Sequence, residues 1–265
     1  MNSTLFAFLL TAFAGLSTGF GSLIALLARG TNKKFLSVSL GFSAGIMIYV
    51  SMVELFATAR DNLTEAFGAR NGTALTAVSF FGGMFLIALI DKFISEDKNP
   101  HTFKKKSEYT PSSEKSGLMK TGLFTALALA IHNFPEGMAT FISAKQDPSI
   151  AIPIVVAIAI HNIPEGIAVS VPIYYATGSK KRAFLYSFLS GLAEPFGALI
   201  GYLLLMPFMN DVMYGVLFAS VAGIMVFISL DELLPAAREY GEHHLSIYGL
   251  IAGMIVIAAS LILFL

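Results

Sequence analysis

Ala130-Ile-His-Asn-Phe-Pro-Glu-Gly-Met-Ala139 and Ala159-Ile-His-Asn-Ile-Pro-Glu-Gly-Ile-Ala168 are two copies of one ten-residue pattern, each set in the middle of a long apolar stretch. In each copy a His and a Glu stand four residues apart, a spacing that puts both on one face of an α-helix. Two such faces turned together supply two imidazoles, two carboxylates and two amide oxygens. Hydrocarbon tolerates that array only when a cation fills it. The pattern therefore predicts an all-α membrane protein with a metal site at its centre.

Composition agrees with the motif. The chain is 55% hydrophobic and 13% charged, far from the balance of a soluble domain. Eight apolar runs, roughly 5–28, 35–58, 73–94, 118–144, 148–174, 183–209, 212–236 and 246–265, each approach or exceed the 20 or so residues a membrane helix needs. The first run has no Lys or Arg before it and is too long for a signal peptide. Short connectors leave room for one membrane transport domain over 1–265 and no soluble one. The longest connector, about 95–117, is rich in Lys, Ser and Pro and reads as a flexible cytoplasmic link.

The basic residues set an orientation. With both termini outside, 14 of the 17 Lys and Arg fall in cytoplasmic segments, and only Arg60, Arg70 and Lys145 lie outside. That is a strong positive-inside bias. The expected location is a bacterial plasma (inner) membrane, crossed many times. The absence of Cys excludes disulfides, iron–sulfur clusters and thiolate metal sites.

The chain also repeats itself. Ala44-Gly-Ile-Met-Ile-Tyr-Val-Ser-Met-Val-Glu-Leu55 returns as Ala222-Gly-Ile-Met-Val-Phe-Ile-Ser-Leu-Asp-Glu-Leu233, and Ala59-Arg60 as Ala237-Arg238. Gly15-Leu-Ser-Thr-Gly-Phe-Gly-Ser-Leu-Ile24 returns as Gly191-Leu-Ala-Glu-Pro-Phe-Gly-Ala-Leu-Ile200. Spans 1–3 are thus related to 6–8, and span 4 to 5, with each pair running in opposite directions. Such an inverted-topology repeat is typical of secondary transporters with a midplane site. Thr18 corresponds to Glu194, so a carboxylate breaks the symmetry.

The acids within the spans are Glu54, Glu136, Glu165, Glu194, Asp231 and Glu232, and the only His residues there are His132 and His161. No Lys or Arg lies at mid-span depth, which leaves a proton or a metal as partner for the central carboxylates. A single buried His would ordinarily be a packing residue; a duplicated His-Asn-x-Pro-Glu-Gly reads as a ligand set. Pro135 and Pro164 each remove a helical hydrogen bond, and Gly137 and Gly166 permit close helix approach. Glu136 lies four residues from His132 and three from Asn133, and Glu165 stands likewise to His161 and Asn162, so each glutamate can face a metal on either side. One metal would take His132, Glu136, His161 and Glu165. A second, oxygen-rich site would take Asn133, Asn162, the bridging glutamates and Glu194. Imidazole with carboxylate suits zinc, iron, manganese, cobalt or cadmium and disfavours a Cu(I) specialist. Glu54 near the outer end of its span, and Asp231 and Glu232 near the inner end of theirs, are candidate vestibule acids or simply solvated ones. His101, His243 and His244 read as solvated residues of cytoplasmic segments.

These residues resemble the ZIP (Zrt/Irt-like) divalent metal transporters, over essentially the whole chain. The likeness rests on the paired His-Asn-x-Pro-Glu-Gly motifs, Gly191-Leu-Ala-Glu194 and Asp231-Glu-Leu-Leu-Pro235. It implies uptake of divalent metal into the cytoplasm, a transport site on the fourth and fifth spans, and a bundle that moves against the rest. It implies the same two-metal arrangement on the seven residues named. A His-rich third connector, common in such proteins, is reduced here to His101. Metal is then transported substrate, and no cofactor is expected. The partners are divalent ions and the bilayer, with no nucleic acid and a homodimer as a candidate assembly. The alternatives are an intramembrane zinc-dependent hydrolase, disfavoured because His-Glu-x-x-His is absent, a metal-gated channel, and an exporter.

Overall fold

The computed structural model describes residues 3–27, 33–95, 111–146, 148–208, 210–240 and 243–263. The lysine-rich part of the expected connector, with His101, lies outside them. Among the described residues there is no strand: α1 (Ser3–Leu27), α2 (Lys33–Val50), α3 (Phe56–Ser95), α4 (Pro111–Gln146), α5 (Pro148–Thr177), α6 (Lys180–Gly191), α7 (Ala193–Ile200), α8 (Asp211–Ile228), α9 (Leu234–Tyr240) and α10 (His243–Leu263) follow in order. Side chains such as Phe13, Phe85, Leu203 and Ile262 are exposed on the outside. A surface of that kind is stable against lipid tails rather than water.

Six helices among the described residues are long and apolar enough to cross a membrane: Ser3–Leu27, Ser37–Ile90, Val155–Thr177, Lys180–Leu204, Asp211–Arg238 and His244–Ile262. The second, at 54 residues, would be about 80 Å long if straight, well over twice the hydrocarbon thickness. It is not straight. Gly68 takes φ 77° and ψ 162°, a conformation open in practice to glycine alone. Beyond it Gly72 packs so closely on Leu63 and Thr64 that a Cβ there would overlap the Leu63 carbonyl. The chain doubles back at Gly68, so this element contains two of the expected runs, 35–58 and 73–94. The run 118–144 lies inside α4, which is not among the six.

Helices overshoot the apolar runs. α3 continues through polar Arg60–Glu65 before Gly68, and α4 starts at Pro111, inside the segment read as a connector. Proline suits a first helical position because its missing N–H would be unpaired there anyway. Mid-helix, α4 and α5 stay continuous through Pro135 and Pro164.

Two groups of helices pack side by side. In one, α1 lies on α5 and α6, and α4 on α5 and α7; in the other, α3 lies on α8 and α2 on α10. The groups meet where α2 touches α5 and α4 touches α8. Glycines make the seams, as small residues do where lipid removes the hydrophobic drive between helices. A Cβ on Gly166 would overlap the Thr18 carbonyl, and one on Gly137 the Glu194 carbonyl. Gly21 sits likewise on Ile163, and Gly197 on Phe134. In the second group Gly45 sits on Leu250 and Gly223 on Phe80, while Gly253 sits on Phe42 and Gly83 on Ser220. In the first group these contacts join residues at matching positions of the repeated sequence segments.

The repeat extends to helix irregularities. One π-helical turn spans Ser51–Leu55 and another Ser229–Leu233, at matching positions of the repeat. Span 6 departs from the continuous helix expected over 183–209. It is interrupted at Leu192 between α6 and α7, then runs through a π-turn, Gly201–Leu205, into a 3₁₀ turn, Met206–Phe208. Pro195 has no N–H to offer Gly191, and the Gly191 carbonyl instead abuts Gly15.

Candidate metal centre

The two copies of the motif meet where α4 and α5 cross. His132, Asn133, His161, Asn162, Glu165 and Glu194 are fully buried, and Glu136 is 3% exposed. Glu136 stands between the imidazoles: Oε2 is 3.1 Å from His132 Nε2, and Oε1 is 3.1 Å from His161 Nε2. Glu165 Oε1 lies 4.0 Å from His132 Nε2. His132, His161 and Glu165 can each direct one ligand atom into a region where these atoms lie within 4.8 Å of one another.

Each imidazole thus brings one Nε2 atom to a different oxygen of the same carboxylate. In a tetrahedral zinc site with bonds of about 2.0 Å, neighbouring ligand atoms stand roughly 3.3 Å apart, their lone pairs directed at the ion. The two 3.1 Å spacings fit such a set.

The asparagines are placed by the first helix group. Asn133 donates from Nδ2 to the Ser190 carbonyl at 3.2 Å, just before the break in span 6. Asn162 donates from Nδ2 to the Ala14 carbonyl at 2.9 Å and also to Glu194 Oε1. Ala14 and Ser190 are equivalent under the repeat, so both amides are anchored alike. Both Oδ1 atoms, and Glu194 Oε2, remain buried without a hydrogen-bond partner. The break before α7 puts Glu194 in the first turn of that helix, where Gly137 lets α4 close on it.

All seven central residues named from the sequence therefore occupy one buried region. The candidate vestibule acids do not belong to it. Glu54 is partly buried on the π-turn Ser51–Leu55; Asp231 is exposed and Glu232 partly buried on the π-turn Ser229–Leu233. His244 is exposed and stacks on Tyr248, with ring centroids 6.2 Å apart. One contributor escaped the sequence reading. Ser43 of α2 donates from Oγ toward Glu165 Oε1 at 3.3 Å and toward the His161 carbonyl at 3.4 Å.

Residues 91–261 match the family described as ZIP Zinc transporter. The chain is 67% identical over 258 residues to a protein of Streptococcus mutans named Zinc transporter ZupT, covering 97% of each chain. It is 64% identical over 267 residues to the protein of that name from Oceanobacillus iheyensis, covering 99% of each. With the Clostridium perfringens protein, also named Zinc transporter ZupT, it shares 62% over 278 residues, covering all of this chain and 98% of the other. The paired motif, the helical membrane fold and these likenesses lead to one assignment: the chain belongs to the ZIP zinc transporter family, whose members are transporters and not enzymes.

Proposed function

We propose that this protein carries zinc into the cytoplasm of a bacterium through a binuclear site at the middle of the membrane. The observation that carries the reading is the pair of buried imidazoles converging on Glu136, each with Nε2 3.1 Å from one of its oxygens. Charge supports it. If ionised, Glu136, Glu165 and Glu194 would bury three negative charges that hydrocarbon cannot stabilise. One divalent ion reduces that balance to −1 and two turn it to +1. His132, Glu136, His161 and Glu165 form the first site. Asn133, Asn162 and Glu194, with the two bridging glutamates, form the oxygen-rich second one. Imidazole favours zinc at the first site, and the oxygen ligands of the second suit iron and manganese, with cobalt and cadmium as further substrates. Zinc here is cargo.

The scaffold for this is an eight-span, single-domain membrane protein with an inverted repeat and both termini outside. The reversal at Gly68, the position of run 118–144 within α4 and the paired glycine seams support the span count and the repeat. The location of the centre within the first helix group supports a bundle that moves against the second. Glu54, Asp231 and Glu232, on the π-turns flanking the transport path, attract the cation at the two mouths.

Radioactive zinc uptake into cells tests the reading. Wild type is expected to take up zinc saturably. Glu165→Ala, at equal expression, is expected to lose at least nine-tenths of that uptake, because both metals share the carboxylate. Wild-type uptake by the variant would sink the binuclear site. Net efflux would reverse the direction.

A further inference from the structure

The two motif glutamates have identical neighbours in sequence but different partners in space. Glu136 lies between the imidazoles. Glu165 Oε1 takes the Ser43 hydroxyl, 3.3 Å away, from the other helix group. The contact is long for a hydroxyl donor, and its proton is shared with the His161 carbonyl at 3.4 Å. Sharing ties Ser43 to the backbone and the carboxylate of one turn of α5 together.

Two features make Ser43 more than a packing residue. It is fully buried, and α2 presents it from a braced face. Gly41 and Gly45, on the opposite face of α2, sit so closely on Ser246 and Leu250 of α10 that a Cβ would overlap their carbonyls. The repeat supplies the comparison. Taking Ala44 with Ala222 pairs Ser43 with Val221, so α8 has no hydroxyl at the corresponding position to offer Glu136.

We propose that Ser43 is a positioning residue of the metal centre. Its hydroxyl fixes the orientation of the Glu165 carboxylate, with one lone pair of Oε1 engaged and the rest of the group left to the metal. Partners of this kind, one shell out from a ligand, typically change metal affinity by about 10- to 100-fold. The inference rests on Glu165 being a ligand, as proposed above.

Thr and Val at position 43 match in volume and differ in the hydroxyl, so the pair isolates the proposed bond. Zinc affinity of purified wild type, Ser43→Thr, Ser43→Val and Glu165→Ala would be measured by competition with a chromophoric zinc chelator, and uptake kinetics in parallel. Ser43→Thr is expected to bind zinc as wild type does. Ser43→Val is expected to bind roughly 10-fold more weakly, with KM raised in proportion and the maximal rate within about twofold. Equal affinity of the Thr and Val variants, beside loss of binding in Glu165→Ala, would overturn the role of Ser43 and leave the centre standing. Wild-type binding by Glu165→Ala would overturn the centre itself, and the Ser43 proposal with it.

Discussion

At the residue scale, the proposed centre gathers two imidazoles and three carboxylates, groups that must be deprotonated to bind metal. Protons therefore compete with the cation for the same lone pairs. External acid is expected to raise the KM for zinc steadily from about pH 7.5 to about pH 5.5, across the range in which imidazoles ordinarily titrate. Initial rates at several zinc concentrations would measure it, and a KM flat across that range would count against imidazole ligation. The clustered polar residues were legible in the sequence because they recur: a rare polar set at fixed spacing, twice, inside apolar runs. Ser43 was not. It is a lone serine in Gly-Phe-Ser-Ala-Gly, a composition ordinary for a membrane helix, and only the approach of α5 gives it a partner. Glu194 was legible as the odd member of a repeated segment, while its link to Asn162 depends on the break at Leu192.

At the scale of elements, Gly68 and Gly82 offer a clean contrast. A Cβ would find nothing within 4 Å at either position, but only Gly68 has a positive φ. Gly68→Ala is expected to lower stability by about 1–3 kcal/mol through backbone strain alone. Gly82→Ala, in mid-helix, is expected to be neutral or to stabilise by up to about 1 kcal/mol. Thermal unfolding of the purified variants in one detergent would separate them; equal midpoints would mean that the reversal does not depend on glycine. Hydropathy located the apolar runs but not the helix ends, because it reports what lipid accepts rather than where hydrogen bonding stops. Arg60–Glu65 and Pro111–Gly117 are helical for that reason. The π-turns had no signature in composition. Two of the three, Ser51–Leu55 and Ser229–Leu233, fall on repeated sequence.

At the scale of the whole molecule, the orientation rests on where Lys and Arg fall. The absence of cysteine makes it directly testable, since the native chain is a silent background for thiol labelling. Arg70→Cys is expected to react with a membrane-impermeant maleimide in intact cells, and Lys180→Cys only after permeabilisation. The opposite pattern would invert the topology. The paired glycine seams bear on thermodynamics as well as shape. If the two helix groups move against each other as the carrier cycles, the seams stay closed, since each lies within one group, and the contacts broken between the groups on one side are matched in kind by those made on the other. The two end states then differ in free energy mainly at positions where the halves differ in sequence, such as Thr18 against Glu194 and Ser43 against Val221. Such a carrier is a nearly level balance, tipped by a few side chains and by the metal gradient across the membrane.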